Sequence, residues 1–156
     1  MTAVLNSSLF KCCFRDNFPE LMGNTYEVRK VFVDKIPIRK PKTLEVKVFE
    51  KLVAMIQLAK RDEHEVFALF LEELIDACVL EIYFPEEAAA KDLKFVEMVS
   101  TLLDIGAASS CVVDEEAITT FTAVANDPKH PIRNQLLRLT ADSPDLFAVI
   151  KNEGKV

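Results

Sequence analysis

Apolar residues recur every three or four positions through residues 43–84, and this periodicity restricts the fold more than any other feature. The spacing is that of one face of an α-helix, whose period is about 3.6 residues. Only three glycines occur in 156 residues, which leaves little room for tight hairpins or glycine-rich phosphate loops. We therefore predict a mainly α fold, an antiparallel helical bundle with at most one or two short extended segments.

The two strongest helices are predicted at residues 43–60 and 62–84, and a connection this short joins antiparallel neighbours. Thr43 is the predicted N-cap of the first helix, and Asp62 with Glu65 resembles a capping box for the second. The predicted core faces are Val48, Leu52, Met55, Ile56 and Ala59 on the first helix, and Phe67, Phe70, Leu71, Leu74, Ile75, Cys78 and Ile82 on the second.

Weaker signals predict the remaining elements. Further helices are expected at residues 3–15, briefly within 26–39, at 85–103, after Asp114 and at 131–139. Gly106 is a predicted left-handed helix cap, Gly23 and Asn24 form a predicted turn, and short extended pieces are expected near residues 36–38 or 147–151. The acidic residues of the second strong helix are predicted to form a solvated edge: Glu72, Glu73, Asp76 and Glu81.

Charge is unevenly distributed along the chain. Residues 1–47 hold nine Lys/Arg against five Asp/Glu, a net charge of +4, whereas residues 48–156 have a net charge of −10. Nucleic-acid binding depends on neutralising phosphates, so only the first third is suited to face DNA. A predicted linker near residues 39–42 divides the chain into residues 1–42 and a helical domain at 43–156.

The cysteines and the N-terminus predict a reduced, cytoplasmic protein without a membrane span. Cys12 and Cys13 are adjacent, and Cys78 and Cys111 lie within apolar runs, a pattern unlike a disulfide framework. The N-terminus lacks the basic start of a signal peptide, and no window reaches the roughly 18 apolar residues that a membrane helix needs.

The first third of the sequence resembles the end of a TaqI-like specificity domain. The resemblance is carried by residues 5–10 (LNSSLF), 26–32 (YEVRKVF) and 35–38 (KIPI). Such domains read the target sequence in adenine-specific DNA methyltransferases and in fused, type IIG-like restriction enzymes. Arg39 stands where the family has a second proline.

The second half is similar to the closing segments of the same proteins. Residues 73–85 (ELIDACVLEIYFP) resemble their terminal acidic helix, and residues 126–133 (NDPKHPIR) resemble their closing His-Pro-Ile-Arg segment. The resemblance implies a non-catalytic C-terminal module that supports target-DNA recognition. Its implied partners are DNA and a methyltransferase or recognition domain of the same or a neighbouring polypeptide.

The catalytic parts of that family do not occur in this sequence. Neither an Asn/Asp-Pro-Pro-Tyr motif nor a glycine-rich motif for S-adenosylmethionine is found, so we expect no catalytic residues and no cofactor. The chain is expected to be a fragment or the product of a free-standing gene. Two alternatives remain open: a helical protein–protein adaptor with no nucleic-acid role, and a full-length adenine methyltransferase of which this chain is only the tail.

One pattern at the C-terminus imitates a nuclease site. Asp145 after a proline, followed by Glu153 and Lys155, matches the Pro-Asp…Glu-x-Lys arrangement that holds Mg²⁺ in restriction nucleases. A chain end is a poor place for carboxylates that must lie on neighbouring strands, and such short matches arise by chance. We predict no nuclease activity.

Metal and thiol chemistry are also expected to be absent. His64 and Glu65 begin like a zincin helix, but Ala68 occupies the position of the second histidine. A Cys–His nucleophile would need Cys78 or Cys111, and an apolar setting keeps a thiol protonated.

The basic segment before residue 43 is the candidate DNA-contacting surface, because Lys and Arg bind phosphates. A solvated linker is the competing interpretation. The candidate residues are Tyr26, Arg29, Lys30, Lys35, Arg39, Lys40 and Lys42.

Overall fold

Helices account for most of the residues that the computed structural model describes, which are 2–21, 25–27, 30–34, 36–105 and 113–142. The helices are α1 (Thr2–Leu5), α2 (Ser8–Asn17), α3 (Lys30–Val33), α4 (Thr43–Arg61), α5 (Glu65–Tyr83), α6 (Pro85–Ala90), α7 (Phe95–Leu102), α8 (Glu115–Ala125) and α9 (Pro131–Asp142). Two short strands, β1 (Glu20–Leu21) and β2 (Thr25–Tyr26), pair antiparallel. The mainly α fold class predicted from the periodicity is confirmed.

Helices α4 and α5 form an antiparallel pair at the centre of the core. Lys60 near the end of α4 pairs with Glu72 near the start of α5, whereas Arg39 links Glu45 at the start of α4 to Ile82 at the end of α5. The predicted apolar faces are buried, with Ile56 and Phe67 only partly so. Helices α6, α7 and α8 pack on α5, and α9 packs on α7 and α8.

Both predicted caps of this helix pair are wrong in detail. Thr43 is the first residue of α4 rather than its N-cap, and the backbone N–H of Lys42 donates to a Glu45 oxygen at 2.6 Å. Asp62 closes α4 instead of opening α5, because Glu63 takes a left-handed conformation (φ 60°) and reverses the chain. Helix α5 begins only after His64, whose side chain makes no cap hydrogen bond.

The helix predicted at residues 3–15 is divided into α1 and α2 by a capping serine. The Ser7 hydroxyl donates to the carbonyl of Val4 and accepts the N–H of Phe10, so one helix ends and the next begins there. Asp76 of α5 then accepts hydrogen bonds from Ser8, at 2.8 Å from its backbone N–H and 2.6 Å from its hydroxyl. Asp76 is therefore not part of a solvated edge, and contacts cross the predicted boundary at residue 42.

The single helix predicted at residues 85–103 is likewise two helices, α6 and α7. Asp92 between them takes a left-handed conformation (φ 51°). Half-buried Glu81 of α5 accepts the backbone N–H of Val96 at 2.9 Å, which caps the start of α7. The Gln135 amide of α9 accepts the N–H of Lys94 and donates to the carbonyl of Asp92. Glu81 therefore also departs from the predicted solvated edge.

The other local predictions have mixed outcomes. Helix α8 follows Asp114 and α9 begins at Pro131, both as predicted. The Asp114 side chain also caps α8 by accepting the N–H of Ala117. The two strands lie at residues 20–21 and 25–26, whereas residues 36–38 form no strand. Gly106, the turn at Gly23 and residues 147–151 lie outside the described ranges.

We predict that Leu71→Ala and Leu74→Ala each lower the free energy of unfolding by about 2–5 kcal/mol. Both side chains are fully buried, so truncation leaves a cavity between packed helices. Leu137→Ala, at an exposed leucine, is the control and should change the value by less than about 0.5 kcal/mol. Urea denaturation measures all three, and core losses below about 1 kcal/mol would contradict the assignment.

We predict that Glu81→Gln becomes progressively more stable relative to the wild type as the pH rises above the ordinary glutamate pKa of 4.5. Burial raises the pKa of the Glu81 carboxyl, and the nearby negative charges of Glu45 and Glu97 raise it further. Hydrogen bonds from the backbone N–H groups of Val96 and Phe95 lower this pKa, but the net shift is upward. A carboxyl whose folded-state pKa is raised makes the wild type lose stability as the pH increases from its unfolded-state pKa to its raised folded-state pKa. Glutamine keeps an acceptor for Val96 but carries no charge.

The matched control for this experiment is Glu87→Gln at an exposed position of α6. Urea denaturation at several pH values should show a pH-dependent difference from wild type for Glu81→Gln alone. A difference that stays constant with pH would contradict the prediction.

Candidate nucleic-acid interface

The seven candidate DNA-contacting residues have different placements. Arg29 and Lys35 lie outside the described residues, and Tyr26 is described only as backbone in β2. Lys30 is the exposed first residue of α3. Arg39, Lys40 and Lys42 lie on the irregular stretch at residues 36–42 that leads into α4.

Arg39 is directed into the end of the bundle. Its Nη1 donates to Glu45 Oε1 at 3.3 Å and to the carbonyl of Ile82 at 3.4 Å, and its backbone N–H lies 3.4 Å from the Tyr83 hydroxyl. The Glu45 side chain is only 8% exposed, so its charge needs a close partner. Through these contacts Arg39 anchors the stretch at residues 36–42 to both α4 and α5.

Lys40 and Lys42 follow Arg39 closely in the sequence, and both side chains are exposed. The Lys42 backbone is held by Glu45, which accepts its N–H, while its ammonium group lies at the surface. The positive charges of Lys40 and Lys42 therefore lie close together on a backbone whose position is fixed. Phosphate contacts of this kind position a protein on DNA without reading its sequence.

An apolar groove of about 370 Å³ adjoins Arg39, and sequence reasoning missed it. It lies between α1, residues 38–41, α4 and the end of α5, and its lining includes Val46, Phe49 and Val53. These three follow i, i+3, i+7 spacing, a second apolar stripe beside the core stripe of α4. That second stripe is the signal from which the groove was predictable.

A second groove of about 440 Å³, also bordered by α1, is more polar. Its lining includes Lys60 and Glu72, which pair with each other, and Asp76, which holds Ser8. These charges already serve contacts within the chain, so this groove is the weaker candidate for a ligand.

The histidines and the core thiol occupy structural positions. His64 Nε2 lies 3.2 Å from a Glu115 oxygen, and His130 Nδ1 lies 3.3 Å from the backbone N of Ile132 at the start of α9. Cys78 is fully buried, and burial raises the pKa of its thiol far above the ordinary range. Cys111 and the terminal pattern at Asp145, Glu153 and Lys155 lie outside the described residues.

Within the described ranges, no three His, Cys, Asp or Glu side chains converge to hold a metal ion. None of the helices in this part of the chain is both long and apolar enough to cross a membrane.

Comparisons with protein-family models, curated proteins and solved structures found no match to this chain. Its function must therefore be inferred from its residues and their contacts.

We predict that Arg39→Ala lowers the free energy of unfolding by about 1–2 kcal/mol, whereas Lys40→Ala changes it by less than about 0.5 kcal/mol. Loss of Arg39 removes the ion-pair partner of buried Glu45 and the donor to Ile82, while Lys40 is exposed. Urea denaturation of the two variants tests this difference. Equal effects would show that Arg39 does not anchor the segment.

Proposed function

We propose that this chain is the non-catalytic C-terminal module of an adenine-specific DNA methyltransferase of a restriction–modification system. In this proposal the helical bundle supports a target-recognition domain of the same or a neighbouring polypeptide. The basic stretch before α4 lies close to DNA. Such a module acts in the cytoplasm, and by itself it neither transfers methyl groups nor cuts DNA.

The anchored basic stretch is the observation that carries the proposal. Arg39 binds Glu45 and the Ile82 carbonyl, and Glu45 accepts the N–H of Lys42, so the backbone from Arg39 to Lys42 is held on the bundle. Lys40 and Lys42 then extend exposed cations from this fixed backbone. A supporting module must hold its DNA-facing residues in place, and these contacts supply that restraint.

The charge of residues 48–156 favours a role in supporting the recognition domain over direct binding to DNA. Residues 48–156 carry a net charge of −10, and a DNA backbone approaching that body is repelled. Contact with DNA is therefore confined to the basic stretch. High affinity and sequence selectivity would come from the domain that the bundle supports.

The competing proposal is a helical adaptor with no nucleic-acid role. The apolar groove of about 370 Å³ favours it, since Leu5, Ile38 and Val46 on its walls are partly exposed and suited to bind a protein side chain. The genomic position separates the two proposals. A methyltransferase gene in frame with this chain or adjacent to it is expected for the first proposal and for a full-length methyltransferase, but not for the adaptor.

We predict that the isolated chain binds duplex DNA with a Kd of about 10⁻⁴ M or weaker at physiological salt, and more tightly as the salt falls. Replacing Lys40 and Lys42 together by alanine should flatten the salt dependence by about one unit for each lost phosphate contact. Fluorescence anisotropy with random duplex DNA over a salt series measures both effects.

The control removes the same number of charges elsewhere, with Lys129→Ala and Arg138→Ala at exposed positions near and within α9. This variant should keep the wild-type salt slope. An equal flattening in both double variants, or no binding even at low salt, contradicts the DNA-facing assignment. Tight, sequence-selective and salt-insensitive binding would place the recognition surface elsewhere.

A further inference from the structure

The outer face of the first part of α5 exposes two neighbouring aliphatic side chains, Val66 and Leu69. Val66 is 76% exposed and Leu69 is 60% exposed, the two highest values among the large hydrophobic residues of the described ranges. They lie three positions apart and therefore stand side by side on one helical face. The opposite face of the same helix, with Ala68, Leu71 and Leu74, is buried in the core.

Carboxylates surround this aliphatic pair. Glu65 and Glu73 lie four positions before and after Leu69, and exposed Glu63 precedes the helix. Glu72 also borders the face, although it pairs with Lys60. Residues 62–90 contain nine Asp/Glu and no Lys or Arg, so no basic side chain of α5 itself offsets the negative charge.

We propose that this face of α5, formed by Val66 and Leu69 with Glu65 and Glu73, docks a basic amphipathic helix of a protein partner. The matching helix has aliphatic residues at i and i+3 or i+4, with Lys or Arg on both sides of them. Its aliphatic side chains cover Val66 and Leu69, and its cations approach the surrounding carboxylates. This surface is separate from the basic stretch before α4 and does not depend on a DNA-related function.

The acidic residues around Val66 and Leu69 determine which class of partner this surface can bind. Nucleic acid is repelled by the carboxylates, and an uncharged apolar segment would leave Glu73 beside an apolar surface and Glu65 with only the nearby Lys60, which already pairs with Glu72. A basic amphipathic helix matches both the aliphatic pair and its acidic surroundings, which is the usual helix-to-surface mode of recognition.

Leu137 on α9 provides an internal contrast. It is 54% exposed, nearly as much as Leu69, but Arg133 lies four positions before it on the same helical face, and the next residue is Arg138. An exposed leucine with basic neighbours should not bind a basic helix. The two leucines therefore separate a general effect of apolar exposure from the proposed pairing of apolar contact and charge.

The test uses a helical peptide of about 18 residues with Leu at i, i+3, i+4 and i+7 and Lys elsewhere. A scrambled peptide of the same composition and a Leu/Glu peptide are the peptide controls. Binding is measured by fluorescence anisotropy at several salt concentrations. The contact surface is mapped by amide chemical-shift changes on the full chain.

Two double variants probe the surface, each with a matched control. Val66→Ser with Leu69→Ser removes the aliphatic pair, and Leu137→Ser is its control at an exposed leucine. Glu65→Gln with Glu73→Gln removes two surrounding charges, and Glu86→Gln with Glu87→Gln removes two exposed charges on α6. All substituted side chains lie at or near the surface, so the fold should be retained.

We expect the aliphatic double variant to weaken binding of the Leu/Lys peptide about tenfold or more, because two side chains no longer bury apolar surface. The Glu65/Glu73 variant should weaken binding mainly at low salt, and both controls should bind like wild type. Shift changes should centre on residues 65–73. Equal binding of the scrambled peptide, equal effects of the controls, or shift changes elsewhere would overturn the proposal. Self-association that the Val66/Leu69 variant abolishes would overturn it too, since a second copy would then be the occupant.

Discussion

Helix α5 holds the fold together through two kinds of contact. Its apolar face, including Leu71, Leu74 and Cys78, is removed from water by α4 and by neighbouring helices. Its carboxylates act on helix ends, since Asp76 accepts the first N–H of α2 and Glu81 accepts an N–H in the first turn of α7. A helix start carries unsatisfied N–H groups and partial positive charge, so a carboxylate there accepts a hydrogen bond and interacts favourably with that charge. For Glu81 these gains are outweighed by the burial that raises its pKa.

Apolar periodicity predicted the fold class and the residues of the core, because burial of one helical face follows directly from the spacing of its side chains. The helix breaks at Ser7 and Asp92 were not predictable in this way. Ser7 caps α2 locally with its own hydroxyl, but the additional partner of α2, Asp76, and the partners of the α6–α7 connection, Glu81 and Gln135, are distant in sequence. Locally, Asp76 and Glu73 are equivalent acidic residues on one helix, and only the tertiary fold distinguishes them.

The candidate DNA-contacting residues show the same limit. Arg39 and Lys40 are adjacent cations in a basic run, and their sequence context gives them identical roles. The structure separates them, because buried Glu45 requires a close counter-charge and only Arg39 lies within reach of both Glu45 and the Ile82 carbonyl. The apolar groove, by contrast, was accessible from the sequence through the i, i+3, i+7 spacing of Val46, Phe49 and Val53.

The link between Ser8 and Asp76 also affects the order in which the chain folds. The two residues are 68 positions apart, so α2 is synthesised well before the carboxylate that caps it. At a typical translation rate of 5–20 residues per second, that delay is roughly 3 to 14 s. Helix α2 has only ten residues, too few to be stable alone in water. During translation α2 is therefore expected to stay unfolded until α5 emerges, so that α2 folds later than its position in the sequence suggests.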